Sequence, residues 1–227
     1  MAAPHFTPRT VPFLRALKSN NDREWFRERR AIYDEHVHAP MVAVIEQLER
    51  DFKDFAPELA ADPKRCIYRI YRDTRFSADK TPLKTHIAAV FPPRDGQRHE
   101  SAGLYFEVAP GWVWAGGGLY RPTPLALHRV RDHIATNLTK FTALVTAPAF
   151  RRQCGEITGD RLTRMPRPFP ADHAAGAYLK LKQFLASREF PADLAASPRF
   201  YPSLLAVFRA IAPLVHFLNE GMQGNGR

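Results

Sequence analysis

From Phe26 onward, Tyr33, Val37, Met41, Val44, Leu48, Phe52 and Phe55 recur mostly three or four residues apart. That spacing predicts one apolar stripe along a long helix. Asn21 followed by Glu24 predicts its start as a capping box, and Pro40 predicts a kink or a restart. Upstream, Thr10 is expected to cap a short helix through Leu17 that Asn20-Asn21 breaks. Pro57 and Pro63 end the helical part, and the apolar period then falls towards two. Strands are predicted at 65–73 and 84–91, the second closed by Pro92-Pro93, with a polar loop at 94–101. Leu104, Phe106 and Val108 alternate with Tyr105 and Glu107. Ala109-Pro110-Gly111-Trp112 has type II turn composition, and 112–119 returns as the partner strand of a hairpin.

Beyond Pro122, Thr123 and Pro124 predict a capped helix to about residue 137. The stretch 139–176 is irregular and rich in proline. Tyr178, Leu181 and Leu185, then Leu204, Phe208, Ile211, Val215 and Leu218, predict two closing helices. Pro213 is expected to kink the second, and the tail from Glu220 to fray. The order of elements gives an α+β fold, with a central antiparallel sheet flanked by N-terminal and C-terminal helices. One domain over 1–227 is expected, helical in 1–60, strand-forming in 64–122 and mainly helical in 123–220.

Charge changes this picture most. The net charge is +10, and only 8 of the 33 basic residues are lysines. Part of that excess is compositional, since an Ala- and Arg-rich chain is also what a GC-rich genome writes. The stretch 65–86 is different, for it gathers Arg65, Arg69, Arg72, Arg75, Lys80, Lys84 and His86 against Asp73 and Asp79. Arginine keeps its charge and offers a planar fork of donors that suits carboxylate or phosphate. The cluster therefore predicts either an anion site or a self-neutralising ion network. Cys66 and Cys154 have no CxxC spacing and suit buried thiols of a reducing compartment. Residues 1–20 lack the apolar run of a secretory signal, and 204–218 is too short and polar to span a bilayer. The expectation is a cytoplasmic protein with no membrane association.

The run from Arg69-Ile70-Tyr71-Arg72-Asp73 through Lys80-Thr81-Pro82-Leu83-Lys84-Thr85-His86 resembles an uncharacterised family, domain of unknown function 2461. Asn20-Asn21-Asp22-Arg23-Glu24-Trp25-Phe26 is similar to its N-terminal signature. Ala102-Gly103-Leu104-Tyr105 and the run from Gly116 to Pro122 resemble its hairpin region. Arg164-Met165-Pro166 with Asp172-His173 resembles its C-terminal motif. Leu83 and Pro168 depart from the family pattern, which carries an aromatic and a glycine there. The resemblance implies a name without an activity.

The chemistry must come from the residues. Arg69, Arg72, Arg75, Lys80, Lys84 and His86 are the candidate ligand-binding groups, on two expected strands and the loop 74–83 between them. Alternation sets Arg69, Tyr71 and Asp73 on one face and Arg72 on the other. Asp73 and His173 are the candidate proton-transfer groups, though Asp172 equally suits a helix cap. Gly116-Gly117-Gly118 suits either backbone approach to a ligand or close strand packing. Tyr68, Tyr71, Phe76, Tyr105, Trp112, Trp114 and Tyr120 interleave the cations, as in single-strand grips or as ordinary cross-strand pairs. Metal-ligand and nucleophile motifs are lacking, and no particular cofactor or oligomeric state is indicated. Three classes stay open: an anionic, phosphate-bearing ligand with or without catalysis, non-catalytic nucleic-acid binding, and a scaffold whose cluster pairs internally.

Overall fold

The apolar stripe is buried as its spacing requires, but not along one unbroken α-helix. The computed structural model of the chain describes residues 3–96 and 100–223. It opens with α1 (Thr10–Ser19), α2 (Arg23–Glu28), α3 (Arg30–Tyr33), a π-helical turn (Asp34–His38) and α4 (Ala39–Phe55). Phe26, Tyr33, Val37, Met41, Val44, Leu48 and Phe52 are all buried. Pro40 acts by restarting the helix, standing in the first turn of α4 directly after the π turn. It has no N–H to give the carbonyl four residues back. Thr10 Oγ1 donates to that carbonyl, on His36. Thr10 is therefore not the cap of α1; it is fully buried and tied to the restart. The cap of α2 is Asp22, one residue beyond the expected Asn21, and accepts from the Glu24 and Trp25 amides at 2.7 and 3.0 Å.

After α5 (Pro63–Cys66) the expected strand at 65–73 does not form a continuous ladder. Only isolated antiparallel bridges occur there, Ile67 with Ala89 and Tyr71 with Leu83. Four positions separate the first members of these bridges and six the second, so the returning chain carries two extra residues. Lys84 keeps the first register, its amide donating to the Ile70 carbonyl at 2.8 Å, so the surplus falls just after it, at the bend 85–86. Regular pairing on the returning side consequently begins at β1 (Ile87–Phe91) rather than at 84. The hairpin forms as expected from β2 (Gly103–Val108) and β3 (Trp112–Leu119). Its turn differs, because Gly111 lacks the positive φ of a type II turn although Ala109 N bonds Trp112 O at 2.9 Å.

The chain continues through α6 (Pro124–Thr136), capped by Thr123 as expected, α7 (Leu138–Thr146), α8 (Pro148–Cys154) and α9 (Gly176–Leu179). Part of the expected irregular stretch is thus helical. Leu185 lies not on a helix but on β4 (Phe184–Pro191), which completes an antiparallel sheet of order β1-β2-β3-β4. A four-residue spacing fits two strand repeats as well as one helical turn, and pairing decided between them. A 3₁₀ turn (Ala192–Ala196) leads into α10 (Phe200–Gln223), which stays helical through the region expected to fray as far as Gln223; 224–227 lie outside the described residues. The result is an α+β fold with the sheet flanked by helices.

The chain divides into two compact units, each with its own core. The first comprises 1–90, 105–115 and 189–205, the second 91–104, 116–188 and 206–227. In the first, Phe6 and Phe106 both pack against Phe200, with ring centroids 5.3 and 6.1 Å away. In the second, Phe91 meets Phe208 at 5.6 Å and Phe141 meets Phe217 at 5.4 Å. α10 exceeds the expected apolar stretch and is long and apolar enough to cross a bilayer by composition. More than half of its most apolar window is buried in the protein, and buried residues occupy most of its circumference, as in the core helix of a soluble protein.

Candidate functional site

The cationic segment lies wholly within the first unit, and the N-terminal motif clasps it there. Asn21 Nδ2 donates to the Leu83 carbonyl at 2.9 Å, and Asn21 Oδ1 accepts from the Leu83 amide at 3.0 Å. One side chain thereby satisfies both backbone groups of a residue 62 positions away. Beside this clasp, an open groove of about 650 Å³ is lined by Asp22, Arg23, Glu24, Phe26, Arg27, Arg30 and Tyr71. Tyr71 stands edge-on to Phe26, with ring centroids 6.1 Å apart.

Two of the predicted cations are held by carboxylates. Arg72 Nη1 donates to Asp79 and to the Thr81 hydroxyl. Asp79 also accepts from the Thr81 amide and hydroxyl, at 2.9 and 2.8 Å. Arg75 grips Asp73 through Nε and Nη2, at 3.0 and 2.7 Å. Hydrogen bonds, first those from the paired arginines, hold both carboxyls down at about 2. A carboxylate that acidic is a poor proton acceptor at neutral pH. Lys80 Nζ donates to the Thr74 carbonyl at 3.0 Å. Arg69 is exposed, makes no hydrogen bond or ion pair with another described residue, and lies close enough to Asp73 to help depress its carboxyl. Phe76, at the loop's outer end, is 96% exposed with Arg75 beside its ring.

Of the other two predicted groups, Lys84 keeps its register opposite Ile70 and His86 lies in the bulge at 85–86, close to the hairpin. Lys84 Nζ lies 4.8 Å from the centre of the Tyr68 ring. His86 Nε2 is 3.9 Å from Glu107 Oε2. Burial lowers the His86 pKa below its usual value, with Glu107 opposing and Lys84 adding to the shift. Glu107 is also met by the Tyr105 hydroxyl at 2.6 Å and the Trp112 indole N–H at 2.7 Å. Tyr105 is 6.3 Å from Tyr68 and 5.5 Å from Trp114, ring centre to ring centre. Glu107 is the group that sequence reasoning missed. Its signal was the alternation of β2, which buries Leu104, Phe106 and Val108 and so sets Tyr105 and Glu107 together on the opposite face.

His173 belongs to the second unit, where its Nδ1 accepts the Ala175 amide at 3.0 Å before α9. The capping role considered for Asp172 is not taken up, since α9 has no side-chain cap. The glycine triplet lies buried in β3: a Cβ on Gly117 would stand 2.7 Å from the Gly103 carbonyl oxygen, which marks close strand packing. The peptide bond before Pro168 is cis. Among the described residues, no three or more His, Cys, Asp or Glu side chains are grouped to hold a metal ion.

Comparison with curated proteins gives no match. A family model does match, from residue 9 to residue 217 of the 227, and spans both the clasp and the cationic segment. The chain belongs to the family of conserved hypothetical proteins DUF2461.

Proposed function

We propose that this protein binds a phosphate-bearing anion at the segment 65–86, in the cytoplasm. The observation that carries the reading is the Asn21–Leu83 clasp. It fixes the cationic segment beside a groove that already presents Arg23, Arg27 and Arg30, with Tyr71 common to both. Arg27 and Arg30 are steadied by Glu24 at 2.9 Å and Asp34 at 2.8 Å. Asp79 and Asp73 steady Arg72 and Arg75 in the same way, which orients each fork before a ligand arrives. Arg69, Lys80 and Lys84 supply further positive charge. For any proton transfer at this site the pair placed for it is His86 with Glu107, 3.9 Å apart, while Asp73 is held too acidic by Arg75 and His173 lies in the other unit.

Titrating pyrophosphate at low and at moderate salt tests the reading. Arg69→Lys keeps the charge but loses the fork, and should weaken binding about tenfold if it removes one charge-assisted bond worth ~1.5 kcal/mol. Absence of binding at low salt would overturn the proposal and leave the scaffold class standing. A second reading, a grip on single-stranded nucleic acid, is favoured by the exposed Phe76 beside Arg75. It predicts that a short oligonucleotide binds far more tightly than pyrophosphate, with a steep loss on adding salt.

A further inference from the structure

The cations of 65–86 account for an anion, but not for what surrounds Lys84 and His86. Inorganic phosphate requires neither a row of aromatic rings nor a carboxylate, and a carboxylate repels it. Yet Tyr68, Tyr105 and Trp114 form a connected aromatic row on the outer face of the hairpin, with Lys84 over its first ring. Glu107 is fixed beside that row by two neutral donors, Tyr105 O–H and Trp112 N–H. Neutral donors orient a carboxylate without cancelling its charge, and a carboxylate has about four acceptor positions. The 3.9 Å between Glu107 Oε2 and His86 Nε2 is too long for a hydrogen bond. A hydroxyl oxygen about 2.8 Å from each atom spans that gap, donating to the carboxylate and accepting from the imidazole. A purely apolar ligand would leave Glu107 unused, and a bare anion would leave the rings unused.

We infer that the ligand of this site is a phosphate carried on a hydroxylated ring, as in a sugar phosphate or a nucleotide. Its ring lies against Tyr105 and Trp114, a hydroxyl bridges Glu107 and His86, and its phosphate meets Lys84. The bulge at 85–86, directly after Lys84, is what allows one short segment to serve both ends of such a molecule. This inference rests on the anion-binding reading.

Calorimetric titration of the full chain with inorganic phosphate, glucose 6-phosphate, adenosine monophosphate and adenosine separates the two. The expected result is that at least one ring-bearing phosphate binds ten times more tightly than inorganic phosphate or adenosine. Whichever ring-bearing phosphate binds better identifies the source. Glu107→Gln and Trp114→Ala should each remove most of that advantage, and Lys84→Ala should bring adenosine monophosphate down towards adenosine. Glu107→Gln is nearly isosteric, so it carries the test if Trp114→Ala does not fold. If all three phosphates bind equally and Glu107→Gln changes nothing, the inference is overturned while anion binding stands. If no phosphate binds, the anion reading falls and this inference with it. If adenosine binds as tightly as its monophosphate, the phosphate half is overturned.

Discussion

Asp73 and Asp79 lie on an exposed loop, where isolated ion pairs usually count for little. Their interest is in titration. Each is held at about 2 in the folded chain against 3.8 for an ordinary aspartate. A carboxyl with a depressed folded pKa favours the paired form above its unfolded value, and that preference is lost as pH falls through the folded one. The pairs should therefore be intact at pH 4 and open progressively towards pH 2. Carboxyl carbon NMR should show midpoints near 2 for both residues, and a midpoint near 3.8 at Asp79 would mean that it does not hold Arg72. The cationic density around these residues was legible in the sequence, because charge is a property of composition. Which carboxylate each arginine takes was not, since Asp79 reaches Arg72 across seven positions of a loop whose path no periodicity encodes. Glu107 was passed over for a related reason, as its partners Tyr105 and Trp112 converge only once the hairpin closes.

At the scale of elements, helices announced by long apolar periods and strands joined by a tight turn were legible. The stripe of α2 to α4 and the β2–β3 hairpin both formed. The segments that misled were those whose local pattern fits two states. Leu181 and Leu185 suit a helix or a strand, and the glycines of β3 helped to select the strand. Gly118 has φ +125°, and a Cβ there would stand 1.9 Å from the Phe184 carbonyl oxygen of β4. Gly118→Ala should thus cost upwards of ~3 kcal/mol, combining a disfavoured backbone angle with a clash against main chain. Urea unfolding measures this, and a midpoint equal to wild type would show that β3 and β4 are not so closely apposed. The segment 65–73 misled differently. Its alternation was real, but two surplus residues opposite it prevented a ladder. A surplus on one strand is invisible until its partner is known.

For the molecule as a whole, a net charge of +10 and a long apolar helix point towards different surroundings. Burial of α10 is consistent with a soluble protein. Its buried face includes Phe200, Leu204, Phe208, Ile211, Val215 and Leu218, committed to the cores rather than offered to lipid. The protein should purify without detergent and remain in the supernatant after high-speed centrifugation. Recovery only from detergent-treated membranes would reverse this account of the helix. Fold class was legible at this scale because alternation between helical and strand periods survives errors in individual boundaries. Division into two compact units was not, because each unit is assembled from three separate stretches of chain.

The Asn21 clasp has a consequence for which changes this chain can take. Asn21 recognises the peptide group of residue 83 and nothing of its side chain. The two positions are therefore under unlike constraints: an amide of one length at 21, and any apolar group that fills the space at 83. Leu83, 1% exposed, is one such filling. A change at 83 leaves the join intact, whereas a single change at 21 removes both of its bonds and leaves the loop held by the Arg72–Pro82 and Lys84–Ile70 backbone bonds. The loop thus answers to an address along the chain rather than to the identity of the residue found there.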